Sequence, residues 1–309
     1  MTIEDVKRQK LIRAARVSVY SNSFLVISKL TVGLIISSIS VISEAIHSAT
    51  DLLAAIIAKY SVGKSTKPPD GTHKFGHGKF ESFSSAVEAL LILLAAGIII
   101  YGSITRLISP LEIEIIEAGI AVMAFGAILN FFVSRYLMRV AKEYESLALE
   151  ADALHLRTDV WTSIGVLIGL VAVRITGIYQ LDPVIAILIA GLIIFAAVRL
   201  SRRSAYELLD RSLSHEEEML VNSCIWRIAG DMVSYHQLRT RRAGRERFID
   251  FHLVVPKNLP VERAHSICDE IEKALSGILP GANTAIHVEP CDGECESCKT
   301  AEKCKDDAS

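Results

Sequence analysis

Six long apolar stretches dominate the first 200 residues of the chain. They lie at about 14–37, 41–63, 82–106, 114–138, 150–175 and 183–200. Each approaches the roughly 20 residues that an α-helix needs to cross a bilayer. Beyond Leu200 charged residues recur every few positions and the apolar runs become short. We therefore predict an all-α polytopic membrane domain of six transmembrane helices over 1–205, a soluble domain over 210–290 and a polar tail over 291–309.

The soluble segment has the pattern of a small α+β domain. The pattern predicts a helix near 214–229, strands near 232–242 and 247–256, a helix near 260–278 and a last strand near 283–289. In the second strand, polar positions such as Asp250 and His252 alternate with apolar positions such as Phe251 and Leu253, as in a half-buried strand. Pro260 stands at the start of the second helix, where proline is favoured. The predicted order is αββαβ, an open-faced sandwich.

Composition supports a membrane protein and excludes several other classes. Apolar residues make up 51% of the 309 residues, and the mean hydropathy is +0.38. The 33 Lys and Arg residues nearly balance the 35 Asp and Glu residues, for a net charge of -2. This balance excludes a strongly basic nucleic-acid-binding protein. The first span follows a polar segment and lacks a small-residue cleavage site after it, so we expect it to stay in the protein rather than act as a signal peptide.

Basic residues in the loops predict the orientation. They concentrate in the N-terminal segment and after spans two, four and six: Lys7, Arg8, Lys10, Arg13, Lys64, Lys67, Lys74, Lys79, Arg135, Arg139, Lys142, Arg199, Arg202 and Arg203. The other loops hold only Arg106 and Arg174 as basic residues. Lys and Arg mark the cytoplasmic side. Both termini and the soluble domain are therefore expected to be cytoplasmic.

Two predicted spans carry the same His-x-x-x-Asp spacing. His47 and Asp51 lie in the second span, and His155 and Asp159 lie in the fifth. Residues four apart share a helix face, so two such helices can offer two nitrogens and two oxygens, a set that suits tetrahedral Zn²⁺. One pair alone could be a structural hydrogen bond, but the repetition favours a metal or proton site. Other polar residues of the spans receive no ligand role: Lys29, Glu44, Glu88 and Asn130.

The loop after the second span contains a second group of candidate ligands. Asp70, His73 and His77 form the pattern D-x-x-H-x-x-x-H. Nearby glycines, such as Gly76, allow the chain to fold around an ion. A solvated basic loop with incidental histidines is the alternative. Three protein ligands would leave a metal open to water or exchange.

The soluble domain and the tail contain further candidates. Four histidines lie on different elements, with a glutamate two residues after the last one: His236, His252, His265, His287 and Glu289. The tail holds four cysteines, which should be reduced in the cytosol and could bind Zn²⁺: Cys291, Cys295, Cys298 and Cys304. A disordered acidic tail is the alternative. Cys224 and Cys268 are predicted to be buried apolar fillers.

Together these motifs resemble the cation diffusion facilitator family over about residues 10–290. The six spans, the paired His-x-x-x-Asp motifs, the loop phrase D-G-T-H-K-F-G-H-G-K-F-E-S and the metallochaperone-like C-terminal domain carry the resemblance. It implies a homodimer in the inner (plasma) membrane that exports divalent metal ions, most of all Zn²⁺, in exchange for protons.

The resemblance also implies roles for individual residues. His47, Asp51, His155 and Asp159 would form the transport site, and Asp70, His73 and His77 the loop site. A binuclear regulatory site would comprise His236, His252, His265, His287 and Glu289. Lys79 and Asp210 match positions that form a salt bridge near the pivot of the dimer.

His47 and Glu289 both stand where the best-described bacterial branch carries Asp. A histidine at position 47 resembles the zinc-selective members. Transport of Fe²⁺, Co²⁺, Ni²⁺, Cd²⁺ or Mn²⁺ remains the alternative, although Mn²⁺ prefers all-oxygen sites. An intramembrane metalloenzyme would require a motif such as H-E-x-x-H, which the sequence lacks. A membrane-bound metal sensor would need an output domain beyond the small sandwich.

Overall fold

The computed structural model of the chain describes residues 3–35, 39–108, 117–178, 180–229 and 234–291. Six long helices come first: α1 (Ile3–Ile35), α2 (Ile39–Ser65), α3 (Lys79–Ile108), α4 (Glu117–Glu143), α5 (Leu147–Thr176) and α6 (Leu181–Leu208). They are followed by α7 (His215–Ala229), β1 (Ser234–Ala243), β2 (Glu246–Val255), α8 (Val261–Ile278) and β3 (Ala282–Pro290). The chain divides into two units after Tyr206, and each unit has its own core.

The six helices of the first unit agree with the six predicted spans. Each is 27–33 residues long, more than a bilayer requires. By length and composition alone, three helices in the described part of the chain qualify as spans: Asp5–Ile35, Lys79–Ile108 and Pro183–Leu208. The polar residues of the His-x-x-x-Asp motifs lie on α2 and α5, where they lower the mean hydropathy. The structure thus places the ionisable motifs on long helices inside the bundle.

Small residues dominate the core of the helix bundle. One cluster joins α1, α2, α4 and α5 and includes Ala14, Ala15, Ala141, Ala148 and Ala153, together with larger residues such as Leu137 and Leu156. A second cluster joins α3 to α6 through Ile92, Ala96, Ile193 and Ala197. Small side chains let helix backbones approach closely, which is how helices pack in a bilayer. Large apolar side chains such as Ile98 and Phe195 are instead exposed on the outside of the bundle, as expected of a surface that faces lipid.

The second unit is the predicted αββαβ sandwich. Its three strands lie in the order β1-β2-β3, with β1 antiparallel and β3 parallel to β2. Ile249, Phe251 and Leu253 of β2 point into the core against α7 and α8, which confirms the predicted alternation. The opposite face of the sheet carries His252 and its neighbours. The sandwich therefore leaves one face of the sheet open for side chains that bind ligands.

Local sequence explains the ends and the core of this unit. Ser214 and Glu217 form a capping box at the start of α7: the Glu217 N–H donates to Ser214 Oγ at 3.2 Å, and the Ser214 N–H donates to Glu217 Oε2 at 3.2 Å. Cys224 and Cys268 are buried in the core, as predicted. Burial raises the pKa of both thiols, which disfavours the thiolate that binds metal.

Candidate metal sites

The four residues of the two His-x-x-x-Asp motifs meet inside the helix bundle. His155 Nε2 on α5 lies 3.0 Å from Asp51 Oδ1 on α2. His47 Nε2 lies 4.0 Å from Asp51 Oδ1 and 4.0 Å from Asp159 Oδ1. Each of His47, Asp51 and Asp159 offers a ligand atom, and these atoms all lie within 4.8 Å of one another. His47, Asp51 and Asp159 could thus share one metal ion, and His155 lies beside them through its contact with Asp51.

Burial of this cluster is uneven. The side chains of Asp51 and His155 are 5% and 10% exposed, whereas His47 is 49% exposed. His155 Nδ1 is buried and has no hydrogen-bond partner among the described residues. His47 therefore lies on the more exposed side of the cluster, and Asp51 and His155 lie on its buried side.

Two polar residues beside the cluster had no assigned role in the sequence. Asn130 Nδ2 on α4 donates to Asp159 Oδ2 at 3.4 Å, and so orients that carboxylate. Lys29 Nζ on α1 donates to Ser48 Oγ at 2.8 Å, next to His47 in the chain. Lys29 is buried, and its Cε packs beside Gly126 of α4, where an added Cβ would lie 3.8 Å away, an ordinary packing distance. These contacts extend the site to α1 and α4.

Two further acidic residues are buried in the bundle. Glu88 on α3 is fully buried, and within the described residues neither of its carboxylate oxygens has a hydrogen-bond partner. Asp152, one helical turn before His155 on α5, is also buried. Its Oδ2 has no hydrogen-bond partner among the described residues. The sequence singled out Glu88 but not Asp152. The sequence signal for Asp152 is its position three residues before the predicted ligand His155, which puts both on the same helix face.

The loop residues form a compact second cluster. His77 Nε2 lies 3.2 Å from Asp70 Oδ2, and His73 Nδ1 lies 3.6 Å from Asp70 Oδ1. The two imidazole rings are 4.6 Å apart between their centroids. Gly76 adopts a φ of 81° between the two histidines, a conformation that disfavours residues with a Cβ. The loop therefore brings one carboxylate and two imidazoles close enough to share a metal ion.

Hydrogen bonds from the loop itself hold the Asp70 carboxylate in its charged form. Asp70 Oδ1 accepts from the His73 N–H at 2.8 Å, from the Thr72 hydroxyl at 2.8 Å and from the Thr72 N–H at 2.9 Å. These bonds, the His73 N–H foremost, place the pKa of Asp70 well below its usual range. Asp70 is thus a ready anionic ligand, with Oδ2 directed at His77.

In the second unit three histidines stand side by side across the open face of the sheet. His236 of β1 pairs with His252 of β2, which in turn pairs with His287 of β3. Their ring centroids are 5.2 Å apart for His236 and His252 and 4.8 Å apart for His252 and His287. Gln237, directly after His236, has a φ of 52°, and the register shifts between His236 and Arg239. This bulge places His236 in the row.

Glu289 contacts all three of these histidines. Its Oε2 lies 3.0 Å from His236 Nε2, and its Oε1 lies 2.7 Å from His252 Nδ1 and 3.6 Å from His287 Nε2. Desolvation acts to raise the pKa of Glu289, but the hydrogen bonds from His252 and His236 outweigh it and lower the pKa. His265 lies on α8, where its Nε2 is 3.7 Å from Asp269 Oδ1. Within one chain the structure therefore gathers four of the five predicted ligands on the sheet.

The other predicted residues are the salt-bridge pair Lys79 and Asp210 and the four cysteines of the tail. Asp210 lies in the second unit and accepts a hydrogen bond from Arg241 Nη1 at 3.2 Å. Lys79 begins α3 in the first unit, and its predicted salt bridge with Asp210 stays a prediction. Cys291 follows β3, and its N–H donates to the Val255 carbonyl at 2.8 Å. The other tail cysteines, Cys295, Cys298 and Cys304, lie outside the described residues.

Comparison with known proteins identifies both units. A family described as "Cation efflux transmembrane domain" matches residues 15–209, and "Cation efflux protein, cytoplasmic domain" matches residues 213–291. A Synechocystis protein called "Uncharacterized transporter sll1263" is 36% identical over 256 residues, which cover 83% of this chain and 83% of that protein. "Cation-efflux pump FieF" of Cronobacter sakazakii is 30% identical over 279 residues, which cover 90% of this chain and 92% of that pump.

One solved structure, that of the transporter CzrB, resembles a shorter part of the chain. The two sequences are 42% identical, and the match covers 26% of this chain and 98% of the other. The TM-score of 0.25 is too low for a comparison of the folds.

Proposed function

This chain belongs to the cation efflux, or cation diffusion facilitator, family, and we propose that it exports Zn²⁺ from the cytoplasm in exchange for protons. Membership makes it a multi-pass membrane transporter with a cytoplasmic C-terminal domain, not an enzyme. The observation that carries the proposal is the cluster of His47, Asp51, His155 and Asp159. Two of its members come from each of two helices, so a relative movement of α2 and α5 would open or close the site.

The chemistry of the four ligands favours zinc as the transported ion. Two imidazole nitrogens and two carboxylate oxygens match the tetrahedral sites that Zn²⁺ prefers. Two nitrogens disfavour Mn²⁺, which is better served by oxygen ligands alone. Fe²⁺, Co²⁺, Ni²⁺ and Cd²⁺ are the alternative cargoes, because imidazole and carboxylate groups bind them as well.

Proton exchange follows from the same four side chains. A metal ion binds imidazole only when the ring is neutral, and it binds carboxylate only when the group is ionised. Protons and metal therefore compete for His47, Asp51, His155 and Asp159. Imidazole as a class titrates near physiological pH, so a modest difference in pH across the membrane can drive the exchange. Zn²⁺ would displace protons on the cytoplasmic side, and protons from the other side would release it there.

The cytoplasmic unit supports a regulatory role. The row of His236, His252 and His287 with Glu289 offers a metal site in the cytoplasm, where it would sense the ion that the bundle exports. We propose that metal binding by this unit stabilises a homodimer and favours transport. His265 would complete a binuclear site there, and both termini would be cytoplasmic in an inner (plasma) membrane.

Transport assays in liposomes test this function. The purified full-length chain is reconstituted with a pH-sensitive dye inside the vesicles, and each divalent ion is supplied outside with and without a pH gradient. We expect Zn²⁺ uptake that is faster with an acidic lumen and that raises the lumenal pH as it proceeds. Zinc flux that is independent of the gradient would contradict exchange. A larger flux of Fe²⁺, Co²⁺, Ni²⁺ or Cd²⁺ than of Zn²⁺ would contradict the choice of metal.

A further inference from the structure

Glu81 is a buried carboxylate that joins three helices at the end of the bundle nearest the loop site. It lies in the first turn of α3 and is only 1% exposed. Its Oε1 accepts a hydrogen bond from Ser65 Oγ, the last residue of α2, at 2.5 Å. Its Oε2 accepts a hydrogen bond from Ser146 Oγ, directly before α5. Each oxygen of one carboxylate therefore holds a different helix.

Both serines are fixed at helix ends. Ser146 Oγ also accepts from the Leu149 N–H at 3.4 Å, so Ser146 is the N-cap of α5. Negative charge is favoured near the N-terminus of a helix, which suits the Glu81 carboxylate at this position. Ser65 and Ser146 are themselves buried. The contacts of Glu81 are thus shielded from water. Hydrogen bonds to a carboxylate are stronger than those between neutral groups.

The two helices that Glu81 holds are the helices that carry the transport ligands. Ser65 lies roughly four turns from Asp51 along α2, and Ser146 lies between roughly two and three turns from His155 along α5. The loop site leads directly into the same turn of α3. The Phe80 N–H donates to the His77 carbonyl at 3.1 Å, and the Glu81 N–H donates to the Gly78 carbonyl at 3.1 Å. Ser61 Oγ of α2 also donates to the Phe80 carbonyl, at 2.7 Å.

We propose that Glu81 is a positioning residue for transport, which holds the ends of α2 and α5 together and conveys occupancy of the loop site to the transport ligands. A metal ion held by Asp70, His73 and His77 would fix the segment that enters α3. Through Glu81 that segment sets the relative position of the two ligand helices. This inference rests on the proposed function, because it concerns how the same four-ligand site is controlled.

A double-mutant cycle in liposomes tests the proposal. The proteins compared are the full chain, His77→Ala, Glu81→Ala and the combination of both substitutions. We expect His77→Ala to lower the maximal rate of Zn²⁺ uptake in the full chain by about fivefold or more, a typical coupling between sites. In the Glu81→Ala background the same change should lower the rate by less than about twofold. Because the ligand helices would shift, the KM for Zn²⁺ uptake should rise with His77→Ala in the full chain and change little with His77→Ala in the Glu81→Ala background.

Ser85→Ala is the matched control. Ser204 Oγ on α6 donates to Ser85 Oγ on α3 at 2.8 Å, a buried contact that joins α3 to a helix without transport ligands. His77→Ala should keep its full effect in this background. If Glu81→Ala prevents folding, Ser65→Ala or Ser146→Ala takes its place in the cycle. Each of these variants removes one of the two contacts of Glu81.

Two results would overturn the proposal. One is an effect of His77→Ala that is equally large with and without Glu81. The other is a full chain that transports Zn²⁺ normally after His77→Ala. Both results leave the proposed function intact, because the unchanged chain still transports Zn²⁺. Absence of zinc transport by the unchanged chain would instead contradict the proposed function.

Discussion

His155 and Asp51 form the shortest contact among the four residues of the proposed transport site, and this contact joins two helices rather than two residues of one motif. His155 Nε2 on α5 lies 3.0 Å from Asp51 Oδ1 on α2, whereas His47 and Asp51 of the same motif are 4.0 Å apart. The two motifs thus form one site. A movement that separates α2 from α5 must lengthen this contact and the one between His47 and Asp159.

Removal of either carboxylate should abolish transport. We expect Asp51→Ala and Asp159→Ala to reduce proton-driven Zn²⁺ uptake into inverted vesicles to background, because a four-ligand site loses both a donor and half of its negative charge. The measurement is zinc uptake together with the elution volume of the protein, which should not change. Asp250→Ala, at an exposed position of β2, is the matched control. More than half of the normal rate in either Asp51→Ala or Asp159→Ala would refute the assignment.

Metal selectivity should depend on His47. We expect His47→Asp to admit Cd²⁺ as a transported ion and to reduce the preference for Zn²⁺, because a third oxygen ligand relaxes the tetrahedral site with two nitrogens. The ratio of Zn²⁺ to Cd²⁺ transport measures this effect. His73→Asp makes the same chemical change in the loop site and should leave the ratio as it was. An unchanged ratio in His47→Asp would place selectivity elsewhere.

The Asp70 carboxylate should stay ionised in mild acid. Its pKa is lowered in the folded protein, so its contribution to stability is present above the unfolded pKa of about 3.9 and is lost only as pH falls through the folded value. Carbon-13 NMR of the Asp70 carboxyl group should therefore show no titration between pH 7 and pH 4. Thr72→Val removes one hydroxyl donor and should raise the pKa. Titration of Asp70 near pH 4 in the unchanged protein would contradict this account.

Metal binding by the cytoplasmic unit should depend more on Glu289 than on His265. Glu289 contacts three histidines, whereas His265 is paired with Asp269 on α8. We expect Glu289→Ala to remove most of the zinc bound by this unit and His265→Ala to remove less. Zinc per chain after dialysis is the measurement, in a chain truncated after Pro290 and with the transport and loop ligands replaced by alanine, so that only this unit binds. Equal losses in both variants would show that His265 is as important a ligand as Glu289.

The cysteine tail should bind metal but should not be needed for transport. Truncation after Pro290 removes Cys291, Cys295, Cys298 and Cys304 and leaves every other predicted ligand in place. We expect full transport and fewer zinc ions per chain in reducing buffer. Thiols must lose a proton to bind zinc, so the difference should shrink as the pH falls. The same zinc content in the full and truncated chains would leave the tail without a metal role.

The periodicity of the sequence predicted the elements of the fold and the ligands that share one helix. The αββαβ order was confirmed, with α8 beginning after Pro260 as expected. The pairing of His47 with Asp51 follows from helical spacing alone. Apolar runs likewise predict long helices, because the bilayer imposes their length.

Contacts between elements could not be predicted in the same way. The alignment of His236 with His252 depends on the bulge at Gln237. Glutamine rarely adopts a positive φ, so the sequence does not predict this bulge. Asn130 on α4 meets Asp159 on α5 through the packing of these two helices. Glu81 is a similar case, since its two serine partners are far apart in the sequence. Such contacts result from packing, which local patterns do not specify.

The row of histidines across the sheet has a consequence for the metal site that we propose in the cytoplasmic unit. Neighbouring strands are held about 4.8 Å apart by their backbone hydrogen bonds. His236, His252 and His287 occupy paired positions, so the sheet itself sets their separation before any ion arrives. Metal capture then needs little reordering of the chain, and its affinity is not reduced by a folding step. The sheet thus holds the three histidines at a preformed spacing. Zinc binding by this unit should therefore be fast and should rise gradually with metal concentration, without a cooperative folding step.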